Sequence, residues 1–117
     1  MSVPMVHQLG ILDPVDTKKT YNDYTPEKYD CISVHDDTIS LLADQLSTMK
    51  TYFHSFDHPE RGLAWYGITI IPPESLSSFH DAVTSSEWFG HSDEFRKLAA
   101  KIMQAKRDNK PMIHFGI

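Results

Sequence analysis

Leu63-Ala64-Trp65-Tyr66-Gly67-Ile68-Thr69-Ile70-Ile71 is the stretch on which the fold turns. It is dense in β-branched and aromatic residues, the types that pack well on a pleated surface. Alternation puts Trp65, Thr69 and Ile71 on one face and Tyr66, Ile68 and Ile70 on the other. Both faces are largely apolar, so the spacing predicts a central strand covered on two sides. Gly67 in its middle marks a bulge or a close backbone approach.

Working toward the C-terminus, Pro72-Pro73-Glu74 stops this strand and opens a helix, since proline at the first helical position loses no hydrogen bond. Leu76, Phe79, His80 and Val83 form its apolar stripe at helical spacing. Trp88-Phe89-Gly90-His91 reads as a turn. Ser92 is the expected N-cap of a further helix striped by Phe95, Leu98, Ala99, Ile102 and Met103, with Asn109 and Pro111 ending it. Met112 to Ile117 reads as a closing strand.

Toward the N-terminus, residues 54–62 read as a loop. Ile39, Leu42, Ala43, Leu46, Met49 and Phe53 recur at threes and fours, which predicts a helix from about Asp37 to about Phe53, capped by Asp36 or Asp37. Residues 29–34 read as a strand. Residues 13–28, with two prolines and three aspartates, read as an irregular connector anchored by Tyr21 and Tyr24. Ahead of it, Val3, Val6, Leu9, Ile11 and Leu12 suit a short strand or an apolar tail. The expected fold is therefore one α+β domain over residues 1–117, with 1–28 as N-terminal arm and connector. Its order is (β)-β-α-β-α-α-β, with helices layered on a small mixed sheet that includes a parallel crossover from Val34 to Leu63.

Length and charge exclude several roles. At 117 residues the chain suits one domain that needs neither metal nor disulfide to fold. Its net charge of −5 argues against nucleic acid or an anionic membrane as partner. No apolar run approaches the ~20 residues of a membrane span, and no signal-peptide pattern is visible. The single cysteine, Cys31, rules out an internal disulfide and suits a reducing cytoplasm. It reads as a packed thiol, with no base at hand to activate it. Residues 1–62 carry five basic and ten acidic side chains, whereas 63–117 carry six of each, so the whole acidic excess lies in the first half. The cations of residues 93–110 read as the solvated face of the last helix.

Seven histidines invite a search for chemistry. His54 and His58 are four apart, a spacing that can share zinc, but they fall at a helix end and in a loop. His80 lies on an apolar stripe and reads as a core-edge residue. His114 in the closing strand is expected near Tyr66 or Trp65, where a His–Tyr pair could exchange a proton. Trp88 sits in a loop bounded by Gly90, as a contact anchor or a core cap. No phosphate-binding glycine loop, nucleophile elbow or CxxC pair occurs, so no cofactor is called for.

Two functions compete. The first is a non-enzymatic protein-binding module, an adaptor or a protein similar in size and charge to the small acidic immunity and antitoxin proteins of bacteria. Its contact residues would be Asp13, Asp16, Asp23, Glu27, Asp30, Asp36 and Asp37, facing a basic partner. The second is a small ligand-binding domain or enzyme with an aromatic-lined pocket built from Trp65, Tyr66, His80, Trp88 and His114. Homodimerisation is also open, by pairing of Met112–Ile117 as an exposed edge.

Overall fold

A computed structural model describes residues 5–117, so Val3 lies outside the described residues. Six strands form one sheet: β1 (Val6–Ile11), β2 (Ile32–His35), β3 (Lys50–Phe53), β4 (Pro59–Arg61), β5 (Ile68–Ile71) and β6 (Met112–Phe115). Three helices pack on it: α1 (Asp36–Leu46), α2 (Leu76–Thr84) and α3 (Asp93–Arg107). The chain is thus an α+β domain. The strand order is β2-β1-β6-β5-β3-β4.

Every pairing is antiparallel, which corrects the expectation of a mixed sheet with a parallel crossover. The reason lies in the connections. The α2–α3 excursion leaves from Ile71 and re-enters at Met112, and these two residues face each other across β5 and β6. A connection that returns to the end it left produces an antiparallel neighbour.

The stretch from Leu63 is only half strand. Regular pairing begins at Ile68 because Gly67 takes φ +116° and turns the chain. The preceding residues lie against the C-terminal segment instead, where Ile117 N–H donates to the Trp65 carbonyl at 3.0 Å and Gly116 N–H to Gly67 at 2.7 Å. All four residues of β5 and all four of β6 are buried, as two-sided cover requires.

The predicted helix over 37–53 is really a helix followed by a strand. His35, not Asp36 or Asp37, caps α1: its Nδ1 accepts from Asp37 N–H at 3.1 Å. The helix stops at Leu46, and Thr51-Tyr52-Phe53 pairs as β3 with β4 and β5. Met49 and Phe53 satisfy a spacing of four, yet Met49, Thr51 and Phe53 equally satisfy a spacing of two. The β-branched and aromatic run decides between them once β5 offers a partner. Residues 59–61, read as loop, complete that hairpin.

Residues 6–11, within the segment read as an N-terminal arm, form a strand between β2 and β6. Consequently β6 is paired on both sides. Pairing through Met112–Ile117 as an exposed edge is therefore corrected: the free edges are β2 and β4.

The sheet's two faces are covered differently. On one, Leu9, Val34, Ile71 and Met112 pack against the apolar stripes of all three helices. On the other, Ile68, Ile70, Ile113 and Phe115 pack under the connector, with Leu12 and Tyr21 fully inserted. Tyr21 N–H donates to the His54 carbonyl at 2.6 Å, and the Tyr24 hydroxyl accepts from Gly67 N–H at 2.8 Å. The two tyrosines therefore hold the connector down as expected. Ser92 caps α3 through Phe95 N–H, and Asn109 takes φ +53° beyond its end. Met103 is exposed and Ala105 takes the buried place on the stripe.

Candidate functional site: a buried histidine relay and a charged connector

Four polar side chains line up inside the helix-facing layer. His114 on β6 is paired across the sheet with Thr69 on β5 and Leu9 on β1. His7 lies two residues from Leu9, so it shares that face. Asp36, the first residue of α1, closes the line from above. Asp36 Oδ1 is 2.8 Å from His7 Nε2, His7 Nδ1 is 2.8 Å from His114 Nε2, and His114 Nδ1 is 3.3 Å from Thr69 Oγ1. Thr69 Oγ1 also accepts from Ala64 N–H at 2.8 Å. His7, Thr69 and His114 are fully buried. The Trp65 and His7 rings make a T-shaped contact at a centroid distance of 5.2 Å.

The protons of this line follow from what each group can do. A carboxylate only accepts, so His7 Nε2 carries a hydrogen and donates to Asp36. With His7 as the neutral imidazole its other nitrogen accepts, and His114 Nε2–H then donates to His7 Nδ1. His114 Nδ1 accepts in turn, and the Thr69 hydroxyl donates to it. All three bonds point the same way, and every buried side-chain polar atom among the described residues is partnered. Burial, reinforced by the neighbouring His7, pulls the His114 pKa down to about 3, so this ring stays neutral across the ordinary pH range.

Of the residues proposed for an aromatic pocket, only Trp65 and His114 come near this relay. Tyr66 is 74% exposed, and His7 takes the place expected for it beside His114. His80 is half-buried on α2 and Trp88 is exposed ahead of α3. His7 and Thr69 were not singled out by sequence reasoning. The available signal was the alternation His7, Leu9, Ile11, which puts a histidine on a core face.

His54 and His58 point to different partners. His54 Nδ1–H donates to the Tyr21 carbonyl at 3.0 Å, and His58 Nε2 lies 3.5 Å from Glu60. Among the described residues no cluster of three His, Cys, Asp or Glu side chains is placed to hold a metal ion. Burial pushes the Cys31 thiol up to about 11, which keeps it protonated and unreactive.

The acidic residues divide between the two layers. Asp16, Asp23 and Glu27 ride on the connector; Asp13 and Asp30 lie where the chain enters and leaves it, within reach of α3 and its end; Asp36 and Asp37 open α1. Asp13 pairs with Lys110 at 3.0 Å and Asp30 with Lys101 at 3.6 Å, tying the connector to α3 and its end. Asp36 belongs to the relay. Asp16, Asp23, Glu27 and Asp37 face solvent.

Fold and site together define a class: an antiparallel α+β sandwich with a buried histidine relay on one face and an ordered connector of mixed charge on the other. The chain matches no family model, no curated protein and no solved structure at a significant level. No helix among the described residues is long and apolar enough to cross a membrane.

Proposed function

We propose that this chain is a non-enzymatic protein-binding module that engages a basic partner through its connector. One observation carries the reading: Asp16, Asp23 and Glu27 are exposed, interspersed with exposed Lys18, Lys19 and Lys28, on a segment pinned to the sheet by Tyr21, Tyr24 and Tyr29. The partner would therefore have to read the placement of the carboxylates rather than a net negative charge. Charges fixed in place before binding lose little entropy on contact and raise the association rate with a positive surface. The histidines support the same reading from the other side. An acid–base catalyst must reach its substrate, and His7, His114 and Thr69 are fully buried.

The test is capture of a partner from native cell extract by wild type and by the triple variant Asp16→Asn, Asp23→Asn, Glu27→Gln. A basic protein retained by wild type at low salt, and lost with the variant or at high salt, supports the reading. Equal retention by both proteins, independent of salt, overturns it.

A further inference from the structure

A cleft of about 220 Å³ opens between α1 and the segment Arg61–Trp65. Ile39, Ala43 and Leu46 form its helix wall, and Leu63 and Trp65 form the wall opposite. An engineered apolar cavity of about 150 Å³ already accepts benzene, so this one has room for a ring or a short chain.

Three features hold it open. Gly62 takes φ +71°, and a Cβ there would lie 3.3 Å from the Leu46 carbonyl, so the turn brings backbone against the helix without filling the space. Trp65 is fixed by its T-shaped contact with His7, a ring that is itself held at both nitrogens. Arg61 at the mouth is exposed yet tethered, with Nη1 donating to the Thr48 carbonyl at 3.1 Å. A guanidinium has five N–H donors in a fixed fork, and that tether uses one.

An apolar slot with a single held cation at its rim selects for an apolar body with an anionic head. We propose that this cleft binds a small amphiphilic carboxylate, its aliphatic chain between α1 and Trp65 and its carboxylate on Arg61. The pairing is the one a planar guanidinium makes best. This site is independent of the charged connector, which lies over the opposite face of the sheet.

Octanoate titrated into a Trp88→Phe background tests it, with Trp65 as the sole indole. Saturable shifts of the Trp65 fluorescence and of the amide signals of residues 39–47 and 61–65 are expected. Arg61→Gln should weaken octanoate about tenfold. Ala43→Phe, on the exposed side of α1, should abolish it while the remaining amide spectrum keeps its dispersion. Octylamine, with the same chain and the opposite charge, should not saturate the site. Absence of saturable shifts at millimolar octanoate overturns the proposal. So does octylamine binding as tightly as octanoate, or unaltered binding to Arg61→Gln.

Discussion

His114 and His7 meet nitrogen to nitrogen at 2.8 Å with their rings inclined by only 21°, so one imidazole donates to the other edge to edge. Ring centroids 5.0 Å apart agree with an in-line hydrogen bond rather than face-to-face stacking. The line is polarised by Asp36 at one end and by the Thr69 hydroxyl at the other. It makes a chemical prediction: in ¹⁵N-resolved spectra at neutral pH, both rings carry their hydrogen on Nε2. An Nδ1–H tautomer at His114 would break the deduced direction.

The same burial sets a pH dependence. The unfolded chain protonates His114 near its ordinary 6.5, whereas the folded chain resists down to about 3. Between those values the unfolded state binds the extra proton, so this group's contribution to stability falls as the solution is acidified. The slope from one such group approaches about 1.4 kcal/mol per pH unit. Urea unfolding of wild type and His114→Gln between pH 6.5 and 4 checks it. The wild-type slope should be steeper by close to one proton, and identical slopes would remove His114 from the account.

Thr69→Val keeps the shape and removes the hydroxyl that serves both His114 and Ala64 N–H. Two buried groups then lose a partner, at a cost on the order of 2 kcal/mol or more. Thr69→Ser keeps the hydroxyl and gives up one methyl, a loss of about 1 kcal/mol. Denaturant midpoints should rank wild type above Ser above Val. A valine variant as stable as the serine variant would remove the Thr69 hydroxyl from the relay.

Glu94 guards an edge of the sheet. Its carboxylate accepts from His35 N–H at 2.8 Å and from the Thr38 hydroxyl at 2.6 Å, joining α3 to β2 and α1. Glu94→Ala should cost about 1–2 kcal/mol. It should also speed amide hydrogen exchange at His35 more than at Val34, which lies in the paired interior of β2. Unchanged protection at His35 would assign that amide another partner.

Two glycines give a contrast. A Cβ on Gly116 would stand 2.3 Å from the Trp65 carbonyl oxygen, so Gly116→Ala must move backbone and should cost on the order of 2 kcal/mol. A Cβ on Gly90 meets nothing within 4 Å, and Gly90→Ala should stay within about 0.5 kcal/mol of wild type. Thermal melts of the two variants separate them.

Much of the architecture is legible in the chain because local pattern and tertiary demand agree there. The stripes at Leu76, Phe79 and Val83 and at Phe95, Leu98, Ala99 and Ile102 match the buried helix faces, and Ser92 caps where a serine should. Legibility fails where one spacing serves two structures. Met49 and Phe53 fit a helix and a strand alike, and only pairing with β5 decides. It fails also where a site is assembled by register. His114 attracts notice by itself, but its partner is chosen by the alignment of β6 with β1, which no local feature of Val6–Ile11 announces. Asp36, read as a cap, gives that task to His35 and turns to His7.

The pairing of β1 with β6 also bears on how the molecule is made. His7 and His114 are 107 positions apart, and the strands that carry them are neighbours in the sheet. On a ribosome, β1 emerges long before the segment that will cover its inner side, and β5 likewise waits for β6. Helix α1 and the β3–β4 hairpin can form early from nearby residues, but the sheet stays in two halves until residues 112–115 arrive. Closure of so long a loop precedes any reward from the contacts it brings, which slows folding. Until then the nascent chain exposes two further unpaired strand edges, those of β1 and β5, a period in which a chaperone would have most to hold.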